Sequence, residues 1–218
     1  NLGAGRIVYQ DLAKINLAIT DNTLKDEIVL KDAMAYAKAN DKTIHLLGLL
    51  SNGGVHSHID HVKSLLSILS ENECTKVILH GFTDGRDVDP QSGADFVADL
   101  VAHMAKTTGK IGSLIGRYFA MDRDQRWDRV QKAYALLVNS EGKATTDFVA
   151  ALKTSYLNGV TDEFIEPLTC TREYDYRARK SIEKWDSARA GNAGRYCGNF
   201  YRKPHTQFLC HRLWVDDW

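Results

Sequence analysis

Hydrophobic and polar positions alternate along this chain in blocks that differ in their period. Nearly continuous apolar runs occupy 43–50, 76–82 and 110–116, as is typical of buried parallel strands. Elsewhere, apolar residues recur at the three-to-four-residue spacing of amphipathic helices. These helical blocks cover 5–20, 24–39, 59–69, 90–106, 128–138 and 147–157.

This alternation predicts an α/β fold with a largely parallel sheet and helices on both faces. Strands separated by helices form crossover connections, which make neighbouring strands parallel. We expect Pro90 in the first turn of its helix. The pattern predicts a single domain over residues 1–171. Residues 172–218 follow neither period, and we expect them to form a divergent, irregular tail.

The composition of the tail differs from that of the rest of the chain. The 218 residues include 28 Lys and Arg and 28 Asp and Glu, so the formal net charge is zero. Residues 172–218 alone hold ten basic and six acidic residues, and nine of the 20 aromatic ones. A basic, aromatic surface is typical of nucleic-acid binding. The missing periodicity favours a poorly folded or out-of-frame segment instead, so we expect no nucleic-acid partner.

The overall composition argues against several classes of protein: nucleic-acid-binding, membrane-spanning, secreted, zinc-finger and disulfide-rich proteins. A balanced charge gives no general attraction to nucleic acid or to an anionic membrane. No apolar run approaches the roughly 20 residues of a membrane span, and no leader segment is recognisable. The four cysteines form no CxxC pair, which argues against a zinc finger or a disulfide framework. We therefore expect a cytoplasmic protein with no membrane partner.

Each predicted strand runs into a polar loop. The three loops are SNGGVHSH at 51–58, TDGRDVDP at 83–90 and GRYFAMDRDQRWDR at 116–129. In open α/β sheets ligands bind beyond the carboxyl ends of the strands. If the three strands are neighbours, their loops therefore converge on one cleft.

The arginines of these loops predict that the cleft binds anions. Guanidinium groups bind carboxylate and phosphate in bidentate geometry, so Arg86, Arg117 and Arg123 suit a small, multiply anionic substrate. Asp87 lies beside Arg86 and would orient its guanidinium or exchange a proton with a substrate hydroxyl.

The same loops also have structural interpretations. A Gly-Gly pair and an Asp-Gly pair are both typical of turns. His56, His58 and His61 resemble a metal cluster, but no carboxylate or thiolate completes it, and we expect His58 and His61 on the outer face of a helix start. Arg126 and Arg129 fit a salt-bridged helix start. Three such loops at consecutive strand ends favour the anion-binding cleft.

The loop sequences resemble 2,3-bisphosphoglycerate-independent phosphoglycerate mutase. The matching segments are NLGAGRIVYQD at 1–11, GGVHSH at 53–58, FTDGRD at 82–87, GRYFAMDRD at 116–124, RWDR at 126–129, AY at 133–134 and YLNGVTDEFIEP at 156–167. The resemblance covers about residues 1–171. It identifies this region with the inserted substrate-binding (phosphotransferase) domain of the family, present here as a fragment.

The resemblance implies an isomerase that interconverts 3-phosphoglycerate and 2-phosphoglycerate in glycolysis and gluconeogenesis through a phosphoserine. It implies two divalent metal ions, manganese, in a second domain of the alkaline phosphatase superfamily, and none bound by this fragment. The family's nucleophilic serine lies just upstream of the segment that matches 1–11. We therefore expect the fragment alone to be an inactive, cytoplasmic monomer whose partners are the two phosphoglycerates.

The resemblance also implies roles for particular residues. Transferred position by position, the family's substrate contacts fall on His56, Arg86, Asp87, Arg117 and Arg123. Asp87 corresponds to the carboxylate that shuttles a proton between the two glycerate hydroxyls. Two alternatives stay open: a non-catalytic remnant that binds phosphoglycerate, and a metal-dependent phosphohydrolase of the alkaline phosphatase superfamily.

Overall fold

The computed structural model describes residues 10–170 and the backbone of 211–215. Within this part of the chain the helices are α1 (Asp11–Thr20), α2 (Ile28–Ala39), α3 (Ile59–Glu71), α4 (Gly93–Met104), α5 (Arg117–Ala120), α6 (Trp127–Asn139) and α7 (Phe148–Leu157). The strands are β1 (Ile44–Leu50), β2 (Val77–Thr83), β3 (Lys110–Gly116), β4 (Lys143–Thr145), β5 (Leu168–Cys170) and β6 (His211–Val215). Short 3-10 turns lie at Leu24–Asp26 and Asp162–Phe164.

The strands form a six-stranded sheet in the order β4-β5-β3-β2-β1-β6. Its centre is parallel, since β2 pairs with β1 on one side and with β3 on the other. β4 and β5 are also parallel to each other, whereas β5 runs antiparallel to β3 and β6 antiparallel to β1. The predicted α/β fold with a largely parallel sheet is confirmed.

Consecutive residues of the central strands face opposite sides of the sheet, and each side has its own helices. Leu50 belongs to the larger core cluster, which includes residues of α2, α3, α4 and α7. Leu49, Phe82 and Ile115 pack on the other side against α5 and α6. Helices therefore cover both faces, as predicted, which explains why the strand sequences are nearly continuous in their apolar character.

The first two helices are shorter than the sequence predicts. Residues 5–9 lie outside the described part of the chain, and α1 begins at Asp11. The predicted helix at 24–39 is interrupted at Glu27, whose ψ of 123° is extended, so that α2 begins at Ile28. A single residue that leaves the helical conformation is enough to divide an amphipathic pattern that looks continuous in sequence.

The expectation that Pro90 lies in the first turn of a helix is wrong. Asp89 holds a turn at this point: its Oδ1 accepts a hydrogen bond from Gln91 N at 2.9 Å, and its carbonyl accepts one from Ser92 Oγ at 2.7 Å. α4 begins only after this turn. The Pro90 carbonyl accepts a hydrogen bond from the backbone N–H of Asp162 at 2.9 Å. Pro90 therefore belongs to the loop that leads into α4.

Part of the predicted tail joins the sheet. In the register of β6 against β1, Val215 is opposite Ile44 and His211 opposite Gly48. These five residues form a strand where the sequence predicts irregular structure. The remainder of the predicted tail, 172–210 and 216–218, lies outside the described residues. Of the helices that the structure describes, none is both long enough and apolar enough to cross a lipid bilayer.

A buried row of polar side chains crosses the three central strands. His80 of β2 lies between His45 of β1 and Ser113 of β3: its Nε2 is 2.9 Å from His45 Nδ1, and its Nδ1 is 2.8 Å from Ser113 Oγ. All three side chains are buried. Burial, reinforced by the nearby His45, holds the pKa of His80 well below its ordinary value. His80 is therefore neutral in the folded protein.

His80 should make the protein less stable in mild acid. The unfolded chain protonates this imidazole near pH 6.5, whereas the folded chain does not. The free energy of unfolding should therefore decrease as the pH falls below about 6.5, by up to about 1.4 kcal/mol per pH unit. Urea unfolding at several pH values should show a smaller decrease in His80→Asn than in the wild type. An unchanged decrease in His80→Asn would contradict the prediction.

Candidate functional site

The loop after β1 is closed on itself and packed against the loop after β2. Ser57 Oγ donates a hydrogen bond to the Leu49 carbonyl at 2.7 Å, and the Gly53 N–H donates one to Ser51 Oγ at 3.1 Å. A Cβ at Gly53 would lie only 3.0 Å from the carbonyl oxygen of Asp87. The missing side chain of Gly53 thus allows the two loops to approach closely.

Two of the three histidines near this loop are structural. His58 Nδ1 accepts a hydrogen bond from the Asp60 N–H at 3.3 Å and so caps α3. The expectation that His61 lies on an outer helix face is wrong. His61 is buried, and its Nε2 is 2.7 Å from Asn16 Oδ1 of α1. Burial, together with the neighbouring His58, lowers the pKa of His61.

The loop after β2 is built around the carboxylate of Asp84. Its Oδ1 accepts hydrogen bonds from the backbone N–H groups of Arg86 and Asp87, at 3.2 and 3.1 Å. Gly85 has a left-handed φ of 64°, and a Cβ there would lie 2.8 Å from the Cβ of Asp162. The Asp84 side chain is 1% exposed. The conformation of this loop is thus held by hydrogen bonds to one of its own side chains, Asp84.

Arg117, the first residue after β3, joins the loops. Its Nη1 lies 2.5 Å from Asp84 Oδ1 and 2.6 Å from Asp87 Oδ2. His56 Nε2 lies 3.8 Å from the same Asp87 oxygen. Arg117 and Asp84 are buried, while the Asp87 side chain is 19% exposed. The structure therefore brings together three of the five predicted site residues: His56, Asp87 and Arg117.

Both buried charges in this cluster are stabilised as ions. Burial alone would raise the pKa of Asp84, but hydrogen bonds from the Ser51 hydroxyl, Arg117 and the Asp87 backbone outweigh it and hold that pKa below its ordinary value. Burial would lower the pKa of Arg117, but its hydrogen bonds to Asp87 and Asp84 outweigh it and raise that pKa. Asp84 and Arg117 are therefore both charged at neutral pH.

The other two predicted arginines lie nearer the surface. The Arg86 side chain is 59% exposed, and its Nη1 is 3.6 Å from Glu163 Oε1. Arg123 is exposed and forms no hydrogen bond or ion pair with any residue of the described chain. The three guanidinium groups thus differ in environment: Arg117 is buried between carboxylates, Arg86 is mostly exposed beside Glu163, and Arg123 is exposed without a partner among the described residues.

Two charged residues of the loop after β3, Asp122 and Arg129, form a salt-bridged helix start. Asp122 Oδ2 accepts hydrogen bonds from the backbone N–H groups of Asp124 and Arg126, at 3.2 and 2.9 Å. Asp122 Oδ1 lies 3.3 Å from Arg129 Nη1. The Arg129 guanidinium also lies 3.8 Å from the centre of the Tyr118 ring. These contacts explain Asp122 and Arg129 structurally. The predicted salt bridge of Arg126 does not form with any described residue, because only its backbone N–H takes part.

A fourth segment, the 3-10 turn after α7, packs against the end of β2 and the start of α4. The buried carboxylate of Asp162 accepts hydrogen bonds from the Gly93 N–H at 2.7 Å and from the Tyr156 hydroxyl. The carbonyl of Asp162 accepts one from Thr83 Oγ1 at 2.6 Å. Burial raises the pKa of Asp162. The next residue, Glu163, is the partner of Arg86.

Sequence reasoning did not select Asp84, Asp162 or Glu163. Asp162 binds the backbone of Gly93, which is distant in sequence, so no local pattern links them. All three residues do lie within the segments that carry the family resemblance, FTDGRD and YLNGVTDEFIEP. That resemblance is the signal that could have identified them.

The arrangement combines an anion-binding group with a carboxylate beside it. Every hydrogen bond that Arg117 makes with a described residue uses Nη1. A guanidinium carries five N–H donors, so those on Nη2 and Nε are available to an anion. Asp87, next to His56, lies where a bound ligand could exchange a proton with it.

Residues 10–170 offer no metal centre. Within this range no three His, Cys, Asp or Glu side chains are placed to hold an ion together. The described residues therefore do not fit the metal ions that the resemblance implies for the whole enzyme.

A parallel α/β sheet that gathers charged side chains at consecutive strand ends defines a ligand-binding α/β domain. Residues 15–192 match the family model described as the BPG-independent PGAM N-terminus. The chain belongs to this family. The match continues past residue 171, where the resemblance noted from the motifs ends.

Curated relatives bear the name 2,3-bisphosphoglycerate-independent phosphoglycerate mutase. The protein from Flavobacterium psychrophilum is 55% identical over 171 residues, which are 78% of this chain and 34% of the relative. The Bacteroides fragilis protein is 54% identical over 168 residues, 77% of this chain and 33% of the relative. The Clostridium botulinum protein is 45% identical over 188 residues, 86% of this chain and 36% of the relative.

A solved structure shares the fold. The crystal structure of Leishmania mexicana phosphoglycerate mutase at low cobalt concentration superimposes with a TM-score of 0.72 and 28% sequence identity. The likeness covers 80% of this chain and 33% of that chain. The chain thus spans about a third of the length of the relatives that it matches.

Proposed function

We propose that this chain is the substrate-binding part of a cofactor-independent phosphoglycerate mutase, an isomerase that interconverts 3-phosphoglycerate and 2-phosphoglycerate in glycolysis and gluconeogenesis. The observation that carries the proposal is the position of Arg117, which lies between Asp84 and Asp87 at the strand ends. It occurs in a chain whose curated relatives are named for this enzyme.

The proposed domain comprises residues 1–171. In the divergent segment that follows, 172–218, the strand β6 adds to the sheet of this domain. Its relatives are about three times as long. In this proposal the remainder of the full-length enzyme supplies the nucleophilic serine and two divalent ions, manganese, that act as Lewis acids. We further propose a cytoplasmic monomer that binds neither nucleic acid nor a membrane.

In this proposal some of the site residues bind the ligand and one of them transfers a proton. Arg117, through its remaining N–H donors, and Arg86, at the rim, would hold the carboxylate and phosphate groups of phosphoglycerate. His56 and Arg123 would complete these contacts. Asp87 would accept a proton from one glycerate hydroxyl and return it to the other. Holding the glycerate during the exchange prevents its loss to solvent.

The proposal is tested by calorimetric titration of the 218-residue chain with 3-phosphoglycerate, with inorganic phosphate as the comparison ligand. We expect weak binding of 3-phosphoglycerate and weaker binding of phosphate, because phosphate lacks the carboxylate. With added manganese, the chain alone should form no 2-phosphoglycerate. Turnover by the purified chain would show that it holds the whole catalytic apparatus, and absence of binding would contradict the proposed site.

Two arginine substitutions should weaken this binding selectively. Arg86→Ala and Arg123→Ala should each reduce the affinity for 3-phosphoglycerate by about 1–3 kcal/mol, the scale for losing a hydrogen bond to a charged group. Arg126→Ala is the matched control, because it removes an exposed arginine of the same loop that is not proposed to bind ligand. Equal affinities for all four proteins would remove these arginines from the site.

A further inference from the structure

We propose that Asp84 is a positioning residue: it keeps Arg117 in place while Asp87 exchanges between Arg117 and the ligand. The inference rests on the proposed function, because it assigns different tasks to the two carboxylates of the site. The structure supports it through the unequal burial and the unequal anchoring of these two side chains.

Asp84 has the properties of a fixed anchor. Its side chain is 1% exposed and lies at the base of the loop. The same oxygen that accepts the hydrogen bond from Arg117 also accepts those from the backbone N–H groups of Arg86 and Asp87. A movement of the Asp84 carboxylate would break all three hydrogen bonds at once. Asp84 therefore remains with Arg117 throughout.

Asp87 has the properties of an exchangeable partner. Its side chain is 19% exposed, and the hydrogen bond that its carboxylate makes within the described chain is the one from Arg117 to Oδ2. His56 Nε2, at 3.8 Å, lies beyond hydrogen-bond distance from this oxygen. The Asp87 carboxylate can therefore turn toward a ligand by giving up a single hydrogen bond.

This division of tasks follows from the burial of Arg117. A guanidinium removed from water needs a charged partner at every stage, because an unpaired buried charge is strongly unfavourable. If Asp87 turns to a substrate hydroxyl, Asp84 is the carboxylate that remains. Asp84 thereby also fixes the orientation in which Nη2 and Nε of Arg117 are presented to an anion.

The anchoring can be measured without any ligand, from the ¹⁵N and ¹H signals of the Arg117 guanidinium in the 218-residue chain. Arg117→Lys identifies these signals by removing them. We expect separate Nη proton signals, which indicate hindered rotation, in the wild type, in Asp87→Asn and in the control Asp89→Asn. In Asp84→Asn they should average. Averaged Nη signals in Asp87→Asn would overturn the proposal, and this outcome can be measured even if Asp84→Asn does not fold. Separate Nη signals in a folded Asp84→Asn would overturn it as well.

Ligand titration then connects the anchor to binding. Asp84→Asn should bind 3-phosphoglycerate at least about tenfold more weakly than the wild type, as expected for a lost charge-assisted contact. Asp89→Asn removes the same charge from an exposed position of the same loop and should stay within about twofold. If the wild type binds and Asp84→Asn binds equally well, the inference fails while the proposed function stands. If the wild type does not bind, the proposed function fails, and the guanidinium signals still decide the role of Asp84.

Discussion

Replacing Arg117 with Met should lower the free energy of unfolding by about 3–5 kcal/mol. The substitution preserves much of the side-chain volume but removes the positive charge between Asp84 and Asp87. Asp84 would then be a buried carboxylate without its counter-ion, and an uncompensated buried charge is among the most destabilising changes in a protein. Urea unfolding followed by circular dichroism measures the loss.

A second substitution separates this cause from a simple loss of packing. Arg117→Met combined with Asp84→Asn leaves no unpaired charge at position 84, while the amide oxygen can still accept hydrogen bonds from the loop backbone. The double variant should therefore be more stable than Arg117→Met alone. Arg123→Met, at an exposed position, should change stability by less than about 0.5 kcal/mol. A double variant that is less stable than Arg117→Met would rule out the buried charge as the cause.

Asp162→Ala should destabilise the fold by about 2–5 kcal/mol. It leaves the Gly93 N–H and the Tyr156 hydroxyl without their acceptor, and each buried donor left without a partner costs about 1–3 kcal/mol. It also loosens the turn that brings Glu163 to Arg86. Thermal and urea unfolding measure the first effect, and the affinity for 3-phosphoglycerate measures the second.

The conservative variant Asp162→Asn tests whether the hydrogen-bond acceptor or the negative charge of Asp162 stabilises the fold. Burial raises the pKa of Asp162, which shows that the site does not favour the charged form. Asn removes the charge but keeps one acceptor oxygen for the Gly93 N–H, and its NH2 group can donate to the Tyr156 hydroxyl oxygen in place of the hydrogen bond it received. Asp162→Asn should therefore cost no more than about 1–2 kcal/mol. Asp89→Asn, which removes the same charge at an exposed position of a neighbouring loop and keeps the acceptor for the Gln91 N–H, serves as the control. Equal losses in Asp162→Asn and Asp162→Ala would show that the charge, rather than the hydrogen bonds, holds the turn.

The central elements of the fold could be predicted from the chain alone. β1 and β2 follow their predicted bounds within one residue, and β3 coincides with its prediction. These strands are recognisable because both of their faces are buried, which makes their sequences nearly continuous apolar runs. The longer helices are recognisable because their apolar residues recur at the period of one buried face. β4, β5 and α5 have only three or four residues each, and so short a segment shows no period.

The loops that form the site could also be predicted, because parallel strands place their carboxyl ends at one edge of the sheet. His56, Asp87 and Arg117 do meet there. The pattern did not show that carboxylates would neutralise Arg117 within the protein, or that Arg123 would be exposed without a partner among the described residues. Those outcomes depend on loop conformation, which is set by backbone contacts such as those of Asp84.

The sequence by itself determined the α/β class, the order of the main elements and the edge of the sheet where charged loops gather. These follow from periodicity, which is a local property of the chain, and from the geometry of parallel strands, which is the same in every such sheet. Only the tertiary structure decided which charges are paired. Asp162 meets Gly93, and Arg117 meets Asp84, across long separations in sequence. Such pairs are selected by the cost of leaving a buried polar group without a partner, and that cost exists only once the chain has folded.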